Sequence, residues 1–466
     1  MTAKDFSLTN IKNTVGRVLL AVSFLFPCTS LSAATDSLSV GTLPDGTEVM
    51  AEKHFFGKRI ERFDPVPGLP QLCLRFVEKV PPLRQELGLY DVSRHRMMWR
   101  TEVDFAKDYY LPTRQGIILR SEKTACLLDE KGSVRWEVKK FQPVYADDRS
   151  GVVFGYPSST SNDLKALSLS EGKSLWTAVL PHKNGWGEVM PLEDGRLLIS
   201  ADWICLLNPL DGTMSTHDVD NAAQSLKAPL TSPSAGVVFG GIAGGLLGAL
   251  IFGYMPSIVA VPAVGYISHL NSNFCYEDGR IYYADRRYLR CLSDKMRVIW
   301  EKELPKKASM SNIRIKEDTL FFENTGWGKD AKGSFHGNSR AYSMRYNRWD
   351  GTELSEKEAL AEGDNLVYCY LRKPGEPRFT PRRLNAEEMK KQEVAYQIAR
   401  PLSQEHVIIF RDKDYWIVDR AGNVLMHFTK PILQVEVIGN ELVGLTDNNV
   451  IFQLGVNIQE ERFGNP

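Results

Sequence analysis

The sequence has no excess charge of either sign. Lysine and arginine together number 57, aspartate and glutamate also number 57, and the isoelectric point is near 7.1. A protein that binds nucleic acid as a whole usually carries a marked basic excess, so we predict no nucleic-acid partner. Hydrophobic residues make up 43% of the 466 residues and charged residues 24%, which is the composition of an ordinary folded protein.

Cysteine is scarce, and the motifs of the common enzyme classes are missing. The chain has seven cysteines and eight histidines, with no Cys-x-x-Cys pair, no adjacent cysteines and no metal-ligand spacing. No Gly-x-Ser-x-Gly elbow or phosphate-binding loop is present. The sequence therefore predicts no catalytic, cofactor-binding or metal-binding residues. After removal of the leader described next, six cysteines remain: Cys73, Cys126, Cys205, Cys275, Cys291 and Cys369.

The N-terminus is typical of a secretory signal peptide. Lys4, Lys12 and Arg17 precede an apolar run over residues 18–26, and small residues follow at 32–34. We predict a signal peptide over residues 1–34, a mature chain of 35–466 and a location in the bacterial periplasm. A core strand or membrane anchor is the alternative, although the run is too short to span about 30 Å of hydrocarbon. A lipoprotein signal at Cys28 is a further alternative, but Pro27 stands where a small residue is expected.

Seven segments share one pattern, in which an apolar pair is followed by Asp, Asn or Ser, a turn and an apolar or Trp position. They occupy residues 89–99, 127–136, 166–176, 206–212, 292–300, 346–351 and 417–426. The first four polar residues are 38, 39 and 40 positions apart, which is the period of a propeller blade.

Each segment predicts a hairpin between the two outer strands of a four-stranded blade. The polar side chain accepts hydrogen bonds from the turn backbone, Gly takes a positive φ, and the large Trp fills the seam against a neighbouring blade. Cys126, Cys205 and Cys291 share one repeat position, so we expect them to be free and buried. The predicted structural positions are Asp91, Trp99, Asp129, Trp136, Gly172, Trp176, Asn208, Gly212, Asp294, Trp300, Asp419 and Gly422.

The segment Ala166 to Trp176 resembles the Ala-x-Asp-x-x-x-Gly-x-x-x-Trp repeat of the PQQ-like, quinoprotein-type propellers, with Ser168 in place of Asp. The resemblance implies an all-β propeller. We expect eight blades, with an eighth inner strand at 448–454 and closure by a strand around 38–50; seven blades is the alternative. Family members that oxidise alcohols hold PQQ and calcium beside a vicinal disulfide, which this chain lacks.

The resemblance therefore favours the non-catalytic branch, which includes the propeller lipoprotein of the outer-membrane β-barrel assembly machinery. It implies a scaffold that binds protein partners in the cell envelope, with no cofactor. The first alternative is a PQQ-dependent oxidoreductase. The second is a glycan-binding propeller that uses exposed aromatic loops at Gly185-Trp186-Gly187 and Gly326-Trp327-Gly328.

A glycine-rich insertion over residues 228–270 interrupts the repeats. No Asp, Glu, Lys or Arg occurs between 228 and 276, and the spacing of the glycines resembles a glycine zipper. We predict a helical hairpin that contacts a membrane through residues 233–268; the alternative is a hairpin that covers the propeller or a second copy of it. The glycines predicted to contact a helix or membrane are Gly236, Gly240, Gly244 and Gly248.

A second insertion, over residues 372–400, begins with a basic loop. Asn385 and Glu388 then form a capping box, which predicts a helix through about Ala399. The loop is either a solvated connection or a contact for lipid headgroups. Its basic residues are Arg372, Lys373, Arg378, Arg382 and Arg383.

Overall fold

The computed structural model describes most of the chain between residues 36 and 455. The described ranges are 36–78, 84–121, 124–182, 186, 189–218, 272–285, 287–305, 311–324, 327–329, 335–337, 342–354, 369–373, 375–382, 395–403, 405–447 and 449–455. The predicted signal peptide (1–34) and the predicted glycine-rich insertion (228–270) lie outside the described residues, as does the predicted helix start at Asn385.

All regular elements of the described residues are β-strands, and they form successive antiparallel sheets that we call blades 1 to 8. Two N-terminal strands come first: β1 (Asp36–Thr42) and β2 (Glu48–Phe55). Blade 1 comprises β3 (Ile60–Pro65), β4 (Gln71–Val77), β5 (Gln85–Asp91) and β6 (Arg96–Glu102). Blade 2 comprises β7 (Tyr109–Thr113), β8 (Gly116–Ser121), β9 (Thr124–Leu128) and β10 (Val134–Lys139). Blade 3 comprises β11 (Gln142–Asp147), β12 (Val152–Tyr156), β13 (Asp163–Ser168) and β14 (Ser174–Val179).

The next three blades follow the same plan. Blade 4 comprises β15 (Val189–Pro191), β16 (Leu197–Ser200), β17 (Trp203–Leu207) and β18 (Met214–Asp218). Blade 5 comprises β19 (Cys275–Glu277), β20 (Arg280–Ala284), β21 (Tyr288–Ser293) and β22 (Val298–Glu303). Blade 6 contains β23 (Ser311–Lys316), β24 (Thr319–Asn324) and β27 (Tyr342–Asn347), with a separate hairpin of β25 (Trp327–Lys329) and β26 (Phe335–Gly337).

The last two blades are joined into one continuous sheet by the N-terminal strands. A small hairpin of β28 (Cys369–Leu371) and β29 (Thr380–Arg382) leads into blade 7. Blade 7 comprises β30 (Ala395–Pro401), β31 (His406–Arg411), β32 (Asp414–Asp419) and β33 (Val424–Phe428). Blade 8 contains β34 (Ile432–Ile438), β35 (Glu441–Thr446) and β36 (Val450–Gly455) from the C-terminal part of the chain, and its fourth strand is β2.

The blades follow one another around a common axis. The first strands of successive blades contact each other. The contacting pairs are β7 with β11, β19 with β23, β30 with β34, and β34 with β3. Among the described residues, buried apolar clusters join blade 1 to 2, 2 to 3, 3 to 4, 4 to 5, 5 to 6, 7 to 8, and 8 back to 1. A single blade cannot bury both of its faces, and this radial stacking buries them. The fold is therefore an all-β propeller, and its described strands form eight blades.

Ring closure differs in detail from the sequence-based expectation. The segment predicted as an inner strand of the eighth blade, residues 448–454, is the third strand β36; the innermost strand is β34. Closure comes from β2, in which His54 lies opposite Ile451 of β36. The strand β1 lies beyond β2 and also pairs with β33 of blade 7. Blade 8 thus combines strands from both ends of the described chain.

The predicted helix through Ala399 is wrong over its last five residues, 395–399. Residues Ala395–Pro401 form β30, which pairs with β31 on one side and with β28 on the other. Tyr396 and Ile398 alternate along β30 and are both buried, so tertiary pairing overrides the local capping signal. The basic loop likewise forms the β28–β29 hairpin. Among the described residues, no helix is long and apolar enough to cross a membrane.

Candidate functional site

The polar residues of the repeat accept hydrogen bonds from the turns between third and fourth strands. Asp129 Oδ1 accepts from the backbone N–H groups of Lys131 (2.8 Å) and Ser133 (2.9 Å). Asp419 Oδ1 accepts from the N–H of Asn423 (2.8 Å). The same contact is made by Asp91 with Arg94 and by Asn208 with Leu210. These side chains therefore stabilise the hairpin turns.

Blade 5 departs from the predicted register by one residue. The backbone N–H of Arg297 donates to Ser293 Oγ, and the N–H of Ser293 donates to the carbonyl of Arg297. Ser293 therefore occupies the position assigned to Asp294: it makes the contacts that Asp129 makes with Ser133 in blade 2, and each lies seven positions before its tryptophan.

The repeat tryptophans lie at the seams between successive blades. Trp136 Nε1 donates to the carbonyl of Leu169 (2.8 Å), Trp176 Nε1 to that of Pro209 (2.9 Å) and Trp300 Nε1 to that of Arg348 (3.0 Å). Each ring also covers a turn glycine of the next blade. The glycine contacts are Trp99 with Gly132, Trp136 with Gly172, Trp176 with Gly212 and Trp300 with Gly351.

The cysteines predicted to be free and the aromatic loops differ in how deeply they are buried. Cys73, Cys126, Cys205, Cys275 and Cys291 are free; Cys205 and Cys291 are buried, whereas Cys126 is only half-buried. Trp186, considered as part of an exposed glycan-binding loop, is instead 1% exposed and donates its Nε1–H to Tyr156 Oη (2.9 Å). Trp327 lies in β25, and its flanking Gly326 lies outside the described residues. Trp186 is therefore a packing residue and offers no surface for a sugar.

Carboxylates on the first strands near the axis are paired with arginines. Asp64 accepts hydrogen bonds from Arg62 and from Tyr110 Oη, and Glu436 accepts from Arg400. Burial raises the pKa of Glu436, while Arg400 opposes that shift. Arginine neighbours reduce the attraction of these carboxylates for a cation. These two carboxylates are therefore poor ligands for an axial calcium ion.

The seam between blade 8 and blade 1 contains a cluster of titratable side chains. Glu52 and His54 lie two residues apart on one face of β2, and His95 lies in the turn between β5 and β6. Their potential ligand atoms all lie within 4.8 Å of one another. His95 Nδ1 is 3.1 Å from Glu52 Oε1, and the rings of His54 and His95 have centroids 4.9 Å apart.

His54 is fully buried in this cluster. Its Nδ1 is 2.7 Å from Tyr90 Oη, whereas its Nε2 has no hydrogen-bond partner among the described residues. Burial, together with the nearby His95, lowers the pKa of His54 to about 4, and a side-chain hydrogen bond with Gln453 opposes the shift. His54 is therefore neutral at pH 7, with one ring nitrogen engaged and the other available.

Sequence reasoning missed this cluster. A histidine in a turn is ordinarily exposed, but His95 is half-buried against β2, whose His54 lies 41 residues earlier in the chain. The only local signal is the Glu52-x-His54 alternation on a strand. The third residue is brought in by ring closure, which the spacing of residues along the chain does not reveal.

The fourth strand of blade 3, β14, carries no charged residue and pairs with no described strand on its outer side. It lies at the end of its sheet, and Leu175 and Val179 on its outward face are 48% and 58% exposed. The equivalent strand of blade 2 carries Arg135, Glu137 and Lys139 at the corresponding positions. Charges on an edge strand discourage pairing with other chains, so β14 lacks a protection that β10 has.

The chain matches no family model and no curated protein. Among solved structures it is similar to BamB from Moraxella catarrhalis, at 12% identity and a TM-score of 0.37, covering 85% of this chain and 94% of that one. It is similar to the β-propeller domain of Cps50 (Swd1) from Myceliophteria thermophila, at 8% identity and 0.34, covering 87% and 100%. It is also similar to the dihydro-heme d1 dehydrogenase NirN in complex with DHE, at 10% identity and 0.34, covering 80% and 69%. At these identities the likeness concerns the fold alone.

Proposed function

We propose that the protein is an exported, non-enzymatic scaffold that binds an extended segment of an envelope protein along β14. The observation that carries this proposal is the uncharged open edge of blade 3. Its unpaired backbone groups can accept a further strand, and exposed Leu175 and Val179 can pair with apolar side chains of that strand. The signal-like N-terminus supports export, and the charge-free insertion at 228–270 supports contact with a membrane.

A non-enzymatic role is supported by how the conspicuous side chains are used. Asp129 and Asp419 are bound into turns, and Asp64 is paired with Arg62. The repeat tryptophans are occupied at seams, as Trp136 illustrates. These side chains stabilise the propeller, and so they support a role in which partners bind at the outer edges of the blades.

Blade 2 supplies a matched design for testing the partner edge. The double variant Leu175→Arg with Thr177→Glu gives β14 two of the charges that β10 already carries at equivalent positions. A photo-reactive residue at Val179, introduced in cells of the source organism, should give a discrete adduct with one envelope protein. We expect the double variant to reduce that adduct at least about tenfold, because charges on the edge oppose strand addition.

Two controls make this test specific. Both substitutions are on the exposed face, so the free energy of unfolding should change by no more than about 0.5 kcal/mol. The midpoint of thermal unfolding should therefore stay nearly unchanged. A photo-reactive residue at Glu303, the equivalent of Val179 in blade 5, should give no such adduct. The same adduct from position 303, an adduct unaffected by the double variant, or an adduct only with a second copy of this chain would contradict the proposal.

Membrane association can be tested by deleting residues 233–268. We expect the wild-type protein to remain in carbonate-washed membranes, because a long charge-free segment is costly to expose to water. The deletion variant should move to the soluble fraction with an unchanged midpoint of thermal unfolding. Recovery of the wild-type protein in the soluble periplasmic fraction would show that this segment is not an anchor.

A further inference from the structure

The closing seam, between blade 8 and blade 1, uses different residues from the seams described above. In four other seams, between blades 1 and 2, 2 and 3, 3 and 4, and 5 and 6, a tryptophan of one blade covers a turn glycine of the next, as Trp136 covers Gly172. His95 occupies the turn position that Gly172 occupies in blade 3, four residues after the polar residue and four before the Trp. Its φ is +50°, in the region that glycine adopts readily. Polar residues thus replace both sides of the usual contact.

We propose that Glu52, His54 and His95 form a binding site for a divalent transition metal of the zinc class, which fastens the closing strand to the first blade. Two imidazoles and one carboxylate are a common ligand set for zinc, with a fourth position left for water. Zinc ligands at about 2.0–2.1 Å from the metal stand about 3.4 Å from one another in a tetrahedral site. The three side chains, with ligand atoms within 4.8 Å, need only a small adjustment to reach this geometry.

The surroundings of His54 orient it as a ligand. Its Nδ1 hydrogen bonds to Tyr90 Oη at 2.7 Å, so a proton on Nδ1 leaves the lone pair on Nε2 directed elsewhere. Nε2 is buried and has no hydrogen-bond partner among the described residues, which is costly for a polar atom. Gln453 lies opposite Glu52 on β36 and acts on the pKa of His54 through a side-chain hydrogen bond, but its Oε1 is buried and is not in good hydrogen-bonding geometry with any described group. A metal ion with a bound water would satisfy both atoms.

The location gives the site a definite role. Glu52 and His54 belong to β2, the fourth strand of blade 8, whereas His95 belongs to the hairpin of blade 1. A metal held by both would connect the two blades at the seam where the ring is closed. Since it binds only the folded ring, the ion stabilises the closed propeller against unfolding.

The test uses the untagged full chain, freed of metal with a chelator and titrated with zinc chloride. Calorimetry should give one zinc ion per chain. At free zinc one hundred times the Kd, the unfolding equilibrium constant should fall about 100-fold, measured as a rise in the midpoint of thermal unfolding. Cobalt in place of zinc should give the intense visible absorption of a tetrahedral site.

Two variants and one control locate the ion. His95→Gly introduces glycine, the residue that blade 3 has at the equivalent position, Gly172. The metal-free variant should therefore be no less stable than the wild type, but zinc should no longer stabilise it. Glu52→Gln should weaken zinc binding at least about tenfold. His427→Gln removes another histidine that contacts a carboxylate, Asp414 at 2.8 Å, and should leave zinc binding unchanged.

The proposal is overturned if the wild-type protein takes up no zinc at micromolar concentrations. It is overturned equally if His95→Gly and Glu52→Gln bind zinc as the wild type does, since the ion would then lie elsewhere. Neither result bears on partner binding at β14, which is in blade 3.

Discussion

Single residues set how closely neighbouring blades approach. Gly212 has a φ of +75°, and a Cβ placed there would lie 2.6 Å from the ring of Trp176. Glycine is required at this position for two reasons: its backbone conformation and the absence of a side chain beneath the indole. The tryptophan and the glycine therefore act as one contact, although they lie in different blades.

The variant Gly212→Ala should lower the free energy of unfolding by about 2–4 kcal/mol, because it adds a steric overlap with Trp176 to the cost of a positive φ. Gly195→Ala is the matched control, since Gly195 has a φ of +90° and nothing within 4 Å of its added Cβ. The control should lose only about 1–2 kcal/mol. Urea unfolding measures both, and equal losses would mean that the seam tolerates the methyl group.

At the scale of elements, a β-bulge accompanies the large residue at the seam. The pairing of third and fourth strands shifts register just before Trp99, Trp136, Trp176 and Trp300, and also before Met426. Blade 4 has no tryptophan on β18, and its pairing with β17 is regular. A bulge re-aims the following side chain, so we infer that it turns the tryptophan toward the next blade.

The closing element should remain bound even when its connection to the ring is cut. A specific protease site inserted after Gly57, which has open space around it, separates β1 and β2 from blade 1. The fragment should co-elute with the rest of the chain in size-exclusion chromatography, because β2 pairs with β36 and buries Ala51 and His54. Denaturing urea should separate the two pieces.

A control keeps this result interpretable. Ala51→Asp places an unpaired carboxylate in the cluster that contains Phe452, so it should release the nicked fragment under native conditions. Release of the fragment from the otherwise unmodified protein would contradict a closing role for β2.

At the scale of the whole molecule, the repeat made the architecture predictable. The segments ending at Trp136 and Trp176 predict hairpins from local chemistry alone, and their spacing predicts a ring of blades. Features that depend on distant pairing were not predictable in this way. The helix expected through Ala399 gave way to β30, whose neighbours β28 and β31 come from either side in sequence. The His54–His95 contact exists only because the ring closes, so no local pattern indicates that His95 joins Glu52 and His54.

Closure by β2 also imposes an order on folding. His54 and its partner Ile451 are 397 residues apart, so this pairing joins nearly the two extremes of the described chain. Contacts of such long range form late, because the loop between them must be ordered first. During synthesis, the edge of β2 that β36 will cover stays bare until almost all of the chain has been made. The strand β2 is thus among the first described strands to emerge and among the last to be fully paired, so the nascent chain carries an exposed strand edge for most of its synthesis.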